Sequence, residues 1–209
     1  MPIDSLIFDL DGTLWDSVDG IVTSWNMALK KYPEIQMELT REQVISVMGT
    51  QLPEIARRFF KNIEEEKRQE IMKVCSQEEC NYLKRKGGVL YEDLEETLEK
   101  LSKKYKLCIV SNCQCGYIEG FLAYHQLEKY FIDIQDAEST GLTKAENILK
   151  VIERNHLKAP VYVGDTEKDQ KSAREAGIPF VYASYGFGKV TTYDYQISTF
   201  KELLQLFED

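Results

Sequence analysis

The chain has 209 residues, of which 43% are hydrophobic and 29% are charged, a composition that supplies enough apolar side chains for a full core. Its 26 basic residues stand against 35 acidic ones, so the formal net charge is −9. A negative surface repels the phosphate backbone, which argues against nucleic acid as a partner. A small anionic substrate stays possible, because local charges can oppose the overall sign.

No apolar stretch approaches the roughly 18–20 residues that a membrane-spanning helix needs, and no signal peptide is evident at the start. We therefore expect a cytoplasmic protein with no membrane partner. The five cysteines form an odd set without the spacing of a zinc site, so reduced thiols are expected. The sequence indicates neither a role for Cys113 and Cys115 nor a choice between monomer and homodimer.

The first predicted element is a buried strand over Leu6–Asp9, which ends in two acids separated by one residue. Side chains two positions apart on a strand point to the same side, so Asp9 and Asp11 are expected to lie together. Buried like charges are costly unless a cation or a reaction compensates for them. Gly12 lets the chain turn sharply and brings backbone N–H groups close to Asp9. This pattern predicts a nucleophilic carboxylate, a second acid and a small anion site.

Residues 16–87 contain no convincing strand and are predicted to be all-helical. Amphipathic patterns run through Ile21–Leu29, Glu42–Met48, Pro53–Lys61 and Glu64–Lys84. We name residues 16–87 the helical insertion and predict that residues 1–15 and 88–209 form the core domain. Ligands of parallel sheets bind beyond the carboxyl ends of the strands, so the helical insertion is a candidate lid over that site.

The rest of the chain alternates strands with helices, which predicts an α/β fold with a Rossmann-like parallel sheet covered on both faces. The later strands are predicted at Lys106–Ser111, Phe131–Ile134, Val161–Asp165 and Pro179–Ala183. The helices between them are predicted at Glu92–Lys104, Gly116–His125, Ala145–Asn155 and Asp169–Ala176.

Chemically useful residues follow these later strands. Ser111 and Asn112 place a hydroxyl and backbone N–H groups at a strand end, where they could cradle phosphoryl oxygens. Lys144 begins a helix, where its charge opposes the helix dipole, so something other than helix stability favours it. Asp165 and Asp169 lie at another strand end, one helical turn apart.

Adjacent strands would bring four carboxylates to one edge of the sheet together with one lysine. The four are Asp9, Asp11, Asp165 and Asp169. Several acids this close need a counter-charge, and hard oxygen ligands favour Mg²⁺. The sequence therefore predicts a magnesium site that neutralises the approach of a phosphate dianion to a carboxylate.

These residues resemble, in order, the four signature motifs of the haloacid dehalogenase-like superfamily, over essentially the whole chain. The motifs are Asp9-Leu10-Asp11-Gly12-Thr13, then Ser111, then Lys144, then Gly164-Asp165 with Asp169. The helical insertion resembles the small α-helical cap of that superfamily. In its overall sequence pattern, the chain is similar to phosphoglycolate phosphatase-like and β-phosphoglucomutase-like members. One departure is Ala145, where many members have proline.

The resemblance implies that Asp9 attacks phosphorus and becomes an aspartyl phosphate. Asp11 would protonate the leaving alcohol and then take a proton from the attacking water. Ser111 and Lys144 would stabilise charge on the transferred oxygens. The implied metal ligands are the Asp9 and Asp165 carboxylates and the Asp11 backbone carbonyl, with Asp169 as support.

Substrate choice is expected to involve two residues at the strand ends and a loop of the helical insertion. These residues are Gly12 and Asn112, and Gly49, Thr50 and Gln51 in the loop. Sugar-phosphate mutases of the superfamily often place an arginine in this region, and the loop here has none. That difference favours a hydrolase.

The sequence thus predicts a Mg²⁺-dependent, phosphoglycolate phosphatase-like enzyme acting on a small phosphorylated metabolite. A sugar phosphomutase of the β-phosphoglucomutase type is the first alternative. A signalling receiver domain, which also carries a phosphorylated aspartate, is the second, but a lid and an acid at Asp11 argue against it. Dehalogenation is disfavoured because dehalogenases lack an acid at that position.

Overall fold

The computed structural model describes residues 2–207. Its centre is a six-stranded sheet in the order β5-β4-β1-β6-β7-β8, in which every neighbouring pair is parallel. These strands are β1 (Ser5–Phe8), β4 (Lys106–Ser111), β5 (Asp133–Asp136), β6 (Pro160–Gly164), β7 (Phe180–Ala183) and β8 (Tyr195–Ile197). The predicted α/β class is confirmed.

Helices cover both faces of the sheet. Leu6 and Phe8 of β1 belong to one buried cluster, whereas Ile7 belongs to another, because neighbouring side chains of a strand point to opposite faces. The helices of this part are α5 (Leu94–Ser102), α6 (Tyr117–His125), α7 (Lys144–Arg154), α8 (Glu167–Glu175) and α9 (Leu203–Leu206). Helices α7 and α8 supply Ile148 and Ala173 to the Ile7 cluster.

The helical insertion consists of four helices in the chain between β1 and β4. They are α1 (Val18–Leu29), α2 (Arg41–Ile45), α3 (Leu52–Phe59) and α4 (Glu65–Lys86). Helix α1 packs along α4, and its buried residues Ile21, Trp25 and Leu29 recur at helical spacing. The four predicted helices are confirmed, with ends that differ by a few residues.

A two-stranded antiparallel ribbon joins the helical insertion to the rest of the chain. It pairs β2 (Trp15–Asp16) with β3 (Val89–Leu90). The domain boundary that we predicted after residue 15 divides β2. Two strands of two residues leave no alternating pattern long enough to recognise in a sequence. Trp15 is fully buried, which fixes the ribbon to the core.

Two predictions at the far edges of the sheet need correction. The strand predicted over Phe131–Ile134 lies at Asp133–Asp136, because a short 3₁₀ turn at Glu128–Tyr130 displaces its start. Strand β8 was not predicted at all, since two of its three residues are exposed and give no apolar run. Within residues 2–207, every helix is too short or too polar to cross a lipid bilayer. All five cysteines are free thiols.

Candidate active site

The carboxyl ends of the three central strands bring the predicted site residues together. Strand β1 pairs with β4 on one side and with β6 on the other, and Phe8 lies level with Ile109 and Val163. Asp9 follows β1 directly, Ser111 ends β4, and Asp165 follows β6. These positions form one edge of the sheet, as expected for a parallel α/β fold.

Lys144 reaches this edge from the first turn of α7. A capping box between Thr143 and Glu146 fixes the start of the helix. The Lys144 Nζ atom lies 2.9 Å from an oxygen of Asp9 and 2.6 Å from an oxygen of Asp169. The lysine side chain is 1% exposed, so all three charges are withdrawn from water. We call Asp9, Lys144, Asp165 and Asp169 the strand-end cluster.

Burial shifts the ionisation of the strand-end cluster. It raises the pKa of Asp9 to about 7, an effect that the charge of Asp169 reinforces and Lys144 opposes. Burial, followed by the charge of Asp169, also raises the pKa of Asp165. Burial favours the neutral amine of Lys144, but the charges of Asp169 and Asp9 outweigh it and raise the lysine pKa. The cluster therefore has more negative groups than its one lysine balances.

The strand-end cluster fits a divalent cation. Asp9, Asp165 and Asp169 each offer a carboxylate oxygen, and these oxygens lie within 4.8 Å of one another. One oxygen of Asp165 is buried and has no hydrogen-bond partner, which is costly unless a ligand supplies a positive charge. A set of carboxylate oxygens suits Mg²⁺ better than a softer metal.

Close backbone approach shapes the other side of Asp165. Its second oxygen accepts a 2.7 Å hydrogen bond from the backbone N–H of Phe187. A Cβ atom at Gly12 would lie 2.2 Å from this carboxylate, and one at Gly186 would lie 2.3 Å from the Asp165 Cβ. Gly12 also has a φ of +80°, so both space and backbone conformation require glycine there.

Asp11 is oriented differently from our expectation. One of its oxygens accepts hydrogen bonds from the Trp15 indole at 2.8 Å, the Ser17 hydroxyl at 2.5 Å and the Tyr117 hydroxyl at 2.9 Å. Its carboxylate is not part of the group of three oxygens near Asp165, so only three of the four carboxylates form that group, while Asp11 lines the same cavity as Asp9. The chain turns after β1, which removes the strand geometry on which that expectation rested.

Burial raises the pKa of Asp11, although the hydrogen bonds from Ser17, Tyr117 and Trp15 oppose the shift. Sequence reasoning missed Tyr117 as a partner of Asp11. It lies on α6, 106 residues away in the chain, within an ordinary amphipathic helix. No local pattern marks it.

Three polar contacts hold the loop of the helical insertion over the strand ends. The Asn112 amide donates to the Gly49 carbonyl at 3.0 Å, and the Gln51 amide donates to the Leu142 carbonyl at 3.3 Å. The Lys168 ammonium donates to the Thr50 hydroxyl. The contact of Lys168 with this loop was not predicted, because a lysine after a strand-end acid is typical of an exposed position.

A cavity of about 50 Å³ lies between this loop, the strand ends and helices of the insertion. Asp9, Asp11, Ser111 and Asn112 line its lower side. Seven apolar or aromatic residues line its upper side: Ile21, Trp25, Val44, Val47, Met48, Leu52 and Ile55. A wider cleft of about 520 Å³ adjoins it and shares Leu52, Asn112 and Cys113.

The cavity wall also contains one acid that the sequence did not reveal. Glu79 of α4 lines the cavity and is only 4% exposed. One of its oxygens accepts a hydrogen bond from the Trp25 indole at 2.5 Å. Burial raises the pKa of Glu79 to about 8, an effect that Trp25 and Gln114 oppose by hydrogen bonding. The surrounding stretch of α4 is rich in charge, so Glu79 resembles its exposed neighbours in sequence.

Comparison with known proteins gives a consistent result. Residues 6–183 match the model of the family described as haloacid dehalogenase-like hydrolase. A phosphoglycolate phosphatase of Vibrio parahaemolyticus is 25% identical over 96% of this chain and 94% of its own. The pyrophosphatase PpaX of Bacillus anthracis is 28% identical over 100% and 98% of the two chains.

A solved structure extends the agreement to the fold. The haloacid dehalogenase-like family protein SP0104 of Streptococcus pneumoniae superposes with a TM-score of 0.84, at 24% identity. The match covers 99% of each chain. At this identity the likeness supports the fold, including the helical insertion, and not a particular substrate.

Proposed function

The chain belongs to the haloacid dehalogenase-like hydrolase family, and we propose that it is a Mg²⁺-dependent phosphatase of a small phosphorylated metabolite. The observation that carries the proposal is the strand-end cluster, in which a buried acid, Asp9, lies beside Lys144 and lines a cavity under the helical insertion. Relatives named phosphoglycolate phosphatase and pyrophosphatase support phosphoryl chemistry in general.

Asp9 and Asp165 would hold the metal through their carboxylates and Asp11 through its backbone carbonyl, with Asp169 in support. When bound, Mg²⁺ supplies positive charge that keeps Asp9 ionised and offsets the charge of the incoming phosphate. The partnerless oxygen of Asp165 and the raised pKa of Asp9 both support a cation at this place.

In the first step, the free carboxylate oxygen of Asp9 attacks phosphorus and the bond to the leaving alcohol breaks. Lys144 and Ser111 are placed beside this position and would stabilise the negative charge on the transferred oxygens. Asn112 would contribute its backbone N–H group at the same strand ends, whereas the Gly12 N–H donates to the Trp15 carbonyl at 2.9 Å and gives the turn its shape. The product of this step is a phosphorylated Asp9.

Asp11 serves both steps as the proton carrier. Its raised pKa favours the protonated form, which donates to the leaving alcohol oxygen. The resulting carboxylate then takes a proton from the water that attacks phosphorylated Asp9, and phosphate is released. The hydrogen bond from Ser17 connects this acid to the first residues of the helical insertion, next to the ribbon.

The helical insertion acts as a lid in this proposal. The contacts of Asn112 with Gly49 and of Gln51 with Leu142 close the loop over the strand ends. An enclosed site keeps bulk water from the phosphoryl group until the alcohol has left. Substrates would enter when these few contacts break.

Hydrolysis is favoured over phosphoryl transfer between sugars. Among the described residues, neither Arg57 nor Arg58 lines the cavity. Arg58 donates to the Ser46 carbonyl, and Arg57 pairs with Glu65 on the surface. A mutase must hold a second phosphate in the same site, and the cavity wall offers no guanidinium for it.

The test is hydrolysis of 4-nitrophenyl phosphate with Mg²⁺ and with EDTA, for the wild type and Asp9→Asn. We expect metal-dependent release of phosphate and a loss of at least about 10⁴-fold in the variant, because the nucleophile is gone. Circular dichroism confirms that the variant is folded. Wild-type activity in Asp9→Asn, or full activity in EDTA, would refute the proposal.

A further inference from the structure

The charged groups that line the cavity next to Asp9 are all acids. Among residues 2–207, no lysine, arginine or histidine lines it, whereas the insertion side presents the acid Glu79. Lys144 contacts Asp9 and Asp169 beneath the cavity, and Lys168 contacts Thr50 from outside it. Lys73 lines the adjoining cleft and not the cavity.

Glu79 has hydrogen-bond partners but no counter-charge. Its carboxylate accepts from the Trp25 indole, and the Gln114 amide also favours its ionised form. None of the ion pairs between described residues involves it. A buried carboxylate without a cation is costly, and burial accordingly raises the pKa of Glu79 to about 8, so the free site favours the protonated acid and an ammonium ligand would favour the carboxylate. A cationic or hydrogen-bond-donating ligand in the cavity would offset that cost.

The position of Glu79 suits contact with the leaving alcohol. Asp9 and Ser111 line one side of the cavity, where the phosphoryl group reacts, and Glu79 lines the insertion side. The space between them is therefore open to the alcohol portion of the substrate. The remaining insertion wall is apolar, with Ile21, Val44 and Ile55, and the cavity, at about 50 Å³, is small beside the adjoining cleft of about 520 Å³.

We propose that Glu79 determines specificity by accepting a hydrogen bond from an ammonium or hydroxyl group on a small leaving alcohol, and that it disfavours alcohols carrying a second anion. This inference rests on the proposed phosphatase function and narrows its substrate class. It sets this chain apart from relatives named for phosphoglycolate and pyrophosphate, whose leaving groups are anionic.

The test uses four phosphomonoesters that differ only at the end of a short alcohol. They are phosphoethanolamine, 2-hydroxyethyl phosphate, propyl phosphate and phosphoglycolate, which end in ammonium, hydroxyl, methyl and carboxylate. We expect kcat/KM to fall in that order, because each step removes a donor or adds repulsion. Comparison of kcat/KM for phosphoethanolamine and 2-hydroxyethyl phosphate shows which donor the site prefers.

Glu79→Gln removes the group that can ionise opposite an ammonium ligand, while its amide oxygen can still accept from Trp25, so folding should be preserved. We expect the ratio of kcat/KM for phosphoethanolamine to that for phosphoglycolate to fall roughly tenfold to a hundredfold. The matched control is Glu78→Gln, the same substitution one residue away at a surface pair with Lys31. It should leave the ratio unchanged.

A purely structural role for Glu79 would change the activity of Glu79→Gln on all four esters by one common factor. That result, or a preference of the wild type for phosphoglycolate, would overturn the inference. Failure of the proposed function would look different, because 4-nitrophenyl phosphate would then not be hydrolysed at all.

Discussion

Two places in this molecule bury acids, and the electrostatic cost of burial is offset differently in each. The strand-end cluster gathers three carboxylates around Lys144 and leaves one Asp165 oxygen without a partner. The cavity wall holds a single acid, Glu79, with hydrogen-bond donors but no cation. The first arrangement suits a resident metal and a reaction, whereas the second suits the selection of a ligand.

Asp11, beside the strand-end cluster, is expected to carry protons in both steps of the reaction. Asp11→Asn should slow esters of poor leaving groups by about 10³-fold, because an alkoxide leaves slowly without a proton donor. Release of nitrophenolate from 4-nitrophenyl phosphate in the first step should slow much less, since nitrophenolate needs no proton. Single-turnover rates of alcohol release, which exclude the second step that all esters share, measure the difference for a series of leaving alcohols. An equal loss for every leaving group would contradict the assignment.

Removing the lysine of the strand-end cluster should affect both rate and stability. In Lys144→Met, kcat should fall by about 10²–10³-fold, and the free energy of unfolding by about 3 kcal/mol, because Asp9 and Asp169 lose their only ion-pair partner among the described residues. Kinetics and urea unfolding give the two numbers.

The control is Lys150→Met, at an exposed position of the same helix. This substitution should change neither kcat nor the free energy of unfolding appreciably. A Lys144→Met variant with activity within tenfold of the wild type would remove the lysine from the mechanism.

Metal binding should distinguish the strand-end cluster from the cavity wall directly. With Mg²⁺ at 100 times its Kd, the wild type should gain about 2.7 kcal/mol in stability, seen as a higher Tm. Asp165→Asn should lose most of this gain. Without Mg²⁺ the same variant should be at least as stable as the wild type, because a repulsive charge near Asp169 is gone.

Glu167→Gln provides the matched control for metal binding, since Glu167 is an exposed acid two residues from Asp165. Its Mg²⁺ response should equal that of the wild type. Equal responses of all three proteins would mean that Mg²⁺ binds elsewhere.

Ionisation of Glu79 in the cavity wall should make the free energy of unfolding depend on pH. Burial raises the pKa of Glu79 from 4.5 to about 8, so its favourable contribution is complete below the unfolded pKa and is lost as pH rises through 8. The stability of the wild type relative to Glu79→Gln should therefore fall by about 3 kcal/mol from pH 5 to pH 8. Urea unfolding of both proteins measures it.

Other titrating groups are common to the two proteins and cancel in the difference, except for Asp11, whose charge acts on Glu79. Glu78→Gln gives the effect of losing one surface acid. A flat difference between the wild type and Glu79→Gln would mean that Glu79 ionises as readily in the folded state as in the unfolded chain.

The sequence predicted the strand-end cluster well because its members lie where strands end. Asp9, Lys144 and Asp165 each follow or begin a regular element that apolar periodicity reveals. The parallel order then places them together. The sheet, the helical insertion and the family were predictable for the same reason.

Glu79 and Tyr117 could not be found in this way. Each lies inside a helix, and its role depends on which helix packs beside it, as in the contact of Glu79 with Trp25, 54 residues away. The orientation of Asp11 was also unpredictable, because it depends on the turn after β1 and on the β2–β3 ribbon. Strands of two residues carry no periodic signal.

The central claim is that Asp9 becomes phosphorylated during turnover. The most direct measurement uses Asp11→Asn, in which breakdown of the intermediate should be slow, mixed with 4-nitrophenyl phosphate and Mg²⁺ and quenched in acid. Mass spectrometry of the peptides should then show one phosphoryl group on Asp9, and borohydride should reduce that residue to homoserine. A phosphoryl group on Ser111, or none on the protein during active turnover, would contradict the account.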